Sequence, residues 1–188
     1  MNPTAEISQA DRAENTPRIE GEHGRVLESV DPPEALADPD LTPNAITVLE
    51  RRYLKKQPET GKLTETPRQL FWRVASHVAR AELIHAPEHP ERAVSVAQEF
   101  YELMAKREFM PNSPCLMNAG REMGMLSACF VIPVEDSIDG IFEAIKATAL
   151  IQKAGGGTGF SFSRLRPQGD VVRSSGGTTE GPMSFMQV

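Results

Sequence analysis

Two thiols and one glycine run are the residues in this sequence best suited to chemistry. Cys115 and Cys129 are the only cysteines in 188 residues, too few for a zinc knuckle or a secreted disulfide scaffold. Cys129 lies inside the apolar run Leu126–Pro133 (LSACFVIP), where a packed, inert thiol and a redox thiol are both compatible with its position. Lys153-Ala154-Gly155-Gly156-Gly157-Thr158-Gly159 resembles a phosphate-cradling loop, because glycines let backbone N–H groups approach an anion. It lacks the Gly-Lys-Ser/Thr ending of a Walker loop, and a plain helix-to-strand turn is the simpler reading. Pro111-Asn112-Ser113-Pro114 offers either a rigid ligand-contacting loop or a proline-bracketed turn. Arg164, Arg166 and Arg173 alternate with glycines in a long polar segment, a pattern shared by phosphate-gripping and merely solvated loops. His85 and His89 have an i,i+4 spacing, but Pro87 and Pro90 oppose the continuous helix a metal pair would need, so no metal site is expected.

The elements that must position these residues follow from periodicity and caps. Residues 1–40 carry ten acidic against three basic side chains and few large apolar ones, and read as a disordered acidic arm. Thr42-Pro43 starts a helix with Ile46, Leu49 and Tyr53 on one face. Thr66-Pro67 starts a second, with Leu70, Phe71, Val74 and Val78 buried and Trp72 at the edge. A third is predicted from Pro90 to Arg107, burying Val94, Ala97, Tyr101 and Met104. These define a helical domain over 41–108. From 109 to 188 the pattern changes to a buried strand at 126–133, a helix capped by Asp136-Ser137 and running to Lys153, and a strand from Gly159 to Leu165. Strand, helix and strand make a βαβ-like unit of an α/β fold with a partly parallel sheet. Gly181-Pro182 marks another helix start. One or two strands cannot close a sheet, so the architecture is expected to continue beyond this chain.

The formal net charge is −6, and most of it resides in the first 40 residues. The near-neutral remainder offers no basic stripe for a polynucleotide. No apolar run approaches the roughly 20 residues that cross a bilayer, and the N-terminus has no secretory pattern, so the default compartment is the cytoplasm.

Taken together, LTPNAITVLERRYL (41–54), FMPNSPCLMNAGR (109–121), LSACFVIPVEDSIDGIFEAI (126–145), KAGGGTGFSFSRLRPQGDVVRSSGG (153–177) and GPMSFM (181–186) closely resemble adenosylcobalamin-dependent ribonucleotide reductases. The match covers about three quarters of the chain, in order. The resemblance implies a helical domain followed by the first strands and helix of a ten-stranded α/β barrel, incomplete in this chain. It implies reduction of a ribonucleotide to a deoxyribonucleotide, with adenosylcobalamin as cofactor, contacted mostly outside this chain. By motif position Cys129 is similar to the first member of the family's redox-active cysteine pair. Ser113, Ala128 and Gly157 match substrate-contacting positions. Asp136, Ser137, Arg166 and the loop 167–182, with Arg173, resemble the region that binds a deoxynucleoside triphosphate effector. The helix 137–153 would belong to a homodimer contact, and a thioredoxin-type reductant is implied.

Departures from the family pattern bound the expectation. The radical-bearing cysteine, the second redox cysteine, further phosphate-binding segments, the shuttle cysteines and an ATP-cone signature are all missing, and Cys115 stands where related chains commonly carry threonine. The chain is therefore expected to be a fragment, split-gene product or truncated form, inactive alone and completed by the rest of the reductase polypeptide. Two rivals stay open at this point: a non-catalytic nucleotide-binding or regulatory module, which has no use for Cys129, and an iron-dependent reductase with the same strand and loop layout. The PNSP and GGGTGFSFSRLRP wording favours the cobalamin type.

Overall fold

Threonine-proline pairs set the first helices. In the computed structural model, which describes residues 21–122, 124–172 and 176–187, the chain divides into two compact units at Leu126/Ser127. That division falls 18 residues later than the boundary expected after residue 108, and it leaves the Pro111–Pro114 segment with the helices.

The first unit contains α1 (Glu22–Glu28), α2 (Pro43–Arg52), α3 (Pro67–Ala79), α4 (Glu82–His85), α5 (Pro90–Ala105) and α6 (Ser113–Asn118). Thr42 Oγ1 accepts from the Ala45 amide at 3.2 Å, with Pro43 at the first helical position. At α3 the cap is reciprocal: Thr66 Oγ1 accepts from the Gln69 amide at 3.2 Å, and Gln69 Oε1 accepts from the Thr66 amide at 2.8 Å. α3 packs on α5, and the Trp72 and Tyr101 rings meet edge to face with centroids 6.4 Å apart. Trp72, expected at the edge of its helix, is fully buried together with Leu70, Phe71 and Tyr101. The reason is that α3 is covered by α1, α5 and α6, so more than one of its faces is interior.

The expectation of a disordered arm over 1–40 is corrected for residues 21–40; residues 1–20 lie outside the described residues. Leu27 of α1 and Leu36 enter the core of the helical unit. The segment is also held through its main chain. Arg68 Nη2 donates to the carbonyls of Pro33 (3.1 Å) and Leu36 (2.9 Å), and the buried Tyr101 hydroxyl donates to Ala37 O at 2.8 Å. Composition underestimates such a segment because backbone acceptors carry no sequence signature.

One half-buried base gives this unit a pH dependence. Burial pushes the His77 imidazole below its ordinary value of 6.5, and the nearby cations of Arg80 and Arg73 push it further in the same direction. A histidine held neutral in the fold takes up protons more readily when unfolded. Its contribution is therefore fully present above pH 6.5 and is lost as pH falls from there towards its folded value. Denaturant titrations of the chain are expected to show stability falling below pH 6.5, with a shallower fall in His77→Gln. An identical pH profile in the variant would contradict this role.

The second unit contains β1 (Cys129–Pro133), α7 (Ile138–Lys153), β2 (Gly157–Ser161) and the short α8 (Pro182–Phe185). β1 and β2 pair in parallel, with Cys129 opposite Gly157 and Pro133 opposite Ser161. The α/β expectation thus holds as a parallel β1–α7–β2 unit in which the two-stranded sheet is not closed. Ser137 Oγ caps α7 by accepting from the Gly140 amide at 3.0 Å. Gly155, at φ +87°, turns the chain out of the helix. Gly156 is needed for lack of space: a Cβ there would sit 2.6 Å from Ile151 Cγ2 and 3.1 Å from Phe130 Cε2. Ile132, Val134, Ile141 and Ala144 form the core, with Ile145, Ile151, Phe162 and Leu165 packed against it. β1 was expected to be buried, but within this unit Cys129, Val131 and Pro133 are exposed and only Ile132 is buried. A two-stranded sheet carrying one helix covers one of its faces, so alternate residues of β1 remain open.

Candidate functional site

The residues singled out from the sequence fall into three places. In the second unit, Ala128, Cys129 and Gly157 come together where β1 and β2 begin. The Gly157 amide donates to Ala128 O at 2.7 Å, and in the next register step Cys129 stands opposite Gly157. Cys129 is a free, exposed thiol on regular strand backbone, with no side chain at the position opposite it. A thiol fixed on a strand beside bare glycine backbone can be approached closely by a ligand and keeps its direction, as a hydrogen or electron donor requires.

Cys115 contrasts with it. This cysteine is buried on α6, burial pushes its thiol up, and it lines an apolar cleft of about 460 Å³ with Val74, Phe100, Met104 and Phe109. A protonated thiol among hydrocarbon side chains is a packing residue.

Beyond the other end of β1, which is itself roughly 13 Å long at strand rise, lie Asp136, Ser137 and Arg166. Asp136 Oδ2 is 2.6 Å from Arg166 Nε, and Arg164 Nη1 donates to Glu135 Oε1 at 2.7 Å. Both arginines are therefore already matched by carboxylates, and an anionic ligand here has to compete with Asp136 and Glu135. Ser137 spends its side-chain oxygen on the helix cap. Arg173 lies outside the described residues. The following loop is closed on itself, with the Gly169 amide donating to Thr179 O at 2.8 Å and the Val172 amide to Gly177 O at 2.8 Å. Gly181 permits that closure: it has φ +76°, and a Cβ there would be 2.8 Å from the Gln168 amide nitrogen.

Ser113 belongs to the helical unit, at the start of α6. Its exposed hydroxyl is 2.8 Å from the Tyr53 hydroxyl. Behind it lies a charged cluster that the sequence reading missed. The buried Glu65 carboxylate accepts from Arg73 Nε at 2.7 Å and from the Lys55 amide at 3.0 Å, and lies 3.7 Å from Arg121 Nη2. Arg73 also donates to the carbonyls of Leu116 and Ala119, and Arg121 to that of Tyr53 at 2.7 Å. These residues are far apart in sequence, so no local pattern joins them. Among the described residues no group of three or more His, Cys, Asp or Glu could hold a metal, and no helix is long and apolar enough to cross a membrane.

A helical unit is followed by a parallel strand–helix–strand whose first strand carries an exposed thiol. Residues 39–124 match the family described as ribonucleotide reductase, all-alpha domain, and residues 127–188 the one described as ribonucleotide reductase, barrel domain. The chain belongs to the ribonucleotide reductase large-subunit family. It is 44% identical, over 80% of its length, to the vitamin B12-dependent ribonucleoside-diphosphate reductase of Thermoplasma acidophilum. It is 46% identical, over 77% of its length, to the protein so named in Mycobacterium tuberculosis, and 37% identical over 74% to the ribonucleoside-diphosphate reductase large subunit of Arabidopsis thaliana. It spans 26%, 20% and 16% of those relatives' lengths, respectively.

Proposed function

We propose that this chain supplies the helical domain and the first barrel elements of a vitamin B12-dependent ribonucleoside-diphosphate reductase, with Cys129 as one half of its redox pair. The observation that carries the reading is the free thiol of Cys129, exposed on β1 opposite Gly157. A regulatory nucleotide-binding module would have no use for it.

The chemistry balances with one further cysteine from elsewhere in the reductase. Two thiols lose two electrons and two protons and become a disulfide. The substrate's 2′-hydroxyl leaves as water, and a C–H bond replaces the C–O bond. A thioredoxin-type reductant then returns the disulfide to two thiols. Cys129 provides one of the two sulfurs, while Ser113, Ala128 and Gly157 contact the substrate, the glycine through its open backbone. Adenosylcobalamin, when bound, supplies the radical equivalent that activates the substrate. Its contacts are proposed to lie mostly outside this chain.

Asp136, Ser137, Arg166 and Arg173 form the proposed deoxynucleoside triphosphate site. Arg166 would exchange its Asp136 partner for a phosphate oxygen, to which a guanidinium can make paired charge-assisted bonds. Homodimer contact through α7 is supported by Ile138, Phe142 and Leu150, which are exposed and fall within about a third of the helix circumference. The proposed compartment is the cytoplasm.

The test is ribonucleoside diphosphate reduction with adenosylcobalamin and a dithiol, by this chain with and without the remaining reductase polypeptide. Deoxynucleotide formation in the combined sample alone is expected. Activity in neither sample would favour the nucleotide-binding module.

A further inference from the structure

The Tyr53 and Ser113 hydroxyls meet at 2.8 Å although the residues are 60 positions apart. Each partner is independently held in place. Tyr53 closes the C-terminus of α2, its amide donating to Leu49 O at 2.9 Å and its carbonyl accepting from Arg121 at 2.7 Å. The Arg52 guanidinium lies 5.9 Å from the centre of its ring. Arg121 is anchored in turn beside the buried Glu65, which Arg73 holds in a bidentate grip. Ser113 opens α6, whose first turn is pinned by Asn112 Oδ1 accepting from the Cys115 amide at 3.0 Å. The hydroxyl–hydroxyl contact lies at the surface of the helical unit, so a ligand can reach the serine while the tyrosine holds it.

A serine hydroxyl on its own rotates among three staggered positions. A phenol is the more acidic of the two hydroxyls, so the favoured arrangement has Tyr53 donating to Ser113 Oγ. That fixes the rotor and leaves the serine's own proton free, and accepting one bond strengthens the bond the serine then donates. We propose that Tyr53 is a positioning residue that holds Ser113 as a hydrogen-bond donor to the substrate. The inference rests on the reading of Ser113 as a substrate contact.

The experiment measures KM and kcat for a ribonucleoside diphosphate in the complete reductase polypeptide carrying Tyr53→Phe, Ser113→Ala, or both. Phenylalanine keeps the ring and its packing and removes only the hydroxyl. Tyr53→Phe is expected to raise KM about three- to tenfold with kcat within about twofold. Ser113→Ala is expected to raise KM at least as much, and the double variant no more than Ser113→Ala alone, because the tyrosine then has nothing left to position. A normal KM in Tyr53→Phe beside a raised KM in Ser113→Ala would overturn the inference and leave the substrate contact standing. So would multiplicative effects in the double variant, or a fall in kcat and melting temperature together in Tyr53→Phe. A normal KM in Ser113→Ala would instead overturn the substrate reading of Ser113, and the inference with it.

Discussion

Cys129→Ser is expected to abolish multiple turnover in the complete reductase, with kcat under dithiol-supported conditions falling on the order of a thousandfold or more. The substitution exchanges sulfur for oxygen on an exposed strand position, so it creates no cavity and leaves β1 and β2 paired. What it removes is the ability to form a sulfur–sulfur bond. Without it, the two electrons that replace the 2′-hydroxyl have no paired source at this position. Cys115→Ala is the matched control. That thiol is buried in an apolar cleft and pushed up by burial, and its variant is expected to retain multiple turnover. Normal dithiol-dependent turnover in Cys129→Ser would refute the redox assignment.

Glu65→Ala is expected to destabilise the helical unit by about 3–5 kcal/mol, read as a shift in denaturant midpoint. Glu65 and Arg73 are both nearly inaccessible to solvent, and the carboxylate is the anion shared by Arg73 and Arg121. Burial already pushes Arg121 below its ordinary value, Arg73 pushes it the same way, and Glu65 opposes both. Deleting Glu65 strands two guanidinium groups without their counter-charge and frees the Lys55 amide it accepts from. The damage extends to the turn after α6, since Arg73 also holds the carbonyls of Leu116 and Ala119. A cost below about 1 kcal/mol would place the cluster with exposed ion pairs, which contribute little.

The parts legible in the sequence were those written in local chemistry. Thr42-Pro43 and Thr66-Pro67 announce helix starts because a hydroxyl cap and a missing N–H act within one turn. Asp136-Ser137 and the Ala154–Gly157 run bound α7 for the same reason. The parts that escaped depend on partners distant in the chain. Residues 21–40 are acidic and poor in apolar groups, yet Arg68 and Tyr101 hold them through carbonyls. Trp72 is interior because several helices surround α3, which the periodicity of one helix cannot express. The Gly157 and Cys129 pairing follows from strand register, whereas the Asp136–Arg166 ion pair joins residues 30 positions apart, which no local pattern announces.

The most direct test of Cys129 as a redox thiol is its state after one turnover. Dithiol-reduced reductase would be freed of external reductant, given adenosylcobalamin and a ribonucleoside diphosphate, quenched in acid and alkylated, and the peptide bearing Cys129 examined by mass spectrometry. Cys129 is expected to escape alkylation in proportion to the deoxynucleotide formed and to be recovered in a disulfide with a second cysteine of the polypeptide. Deoxynucleotide formed while Cys129 remains fully alkylated would contradict the account.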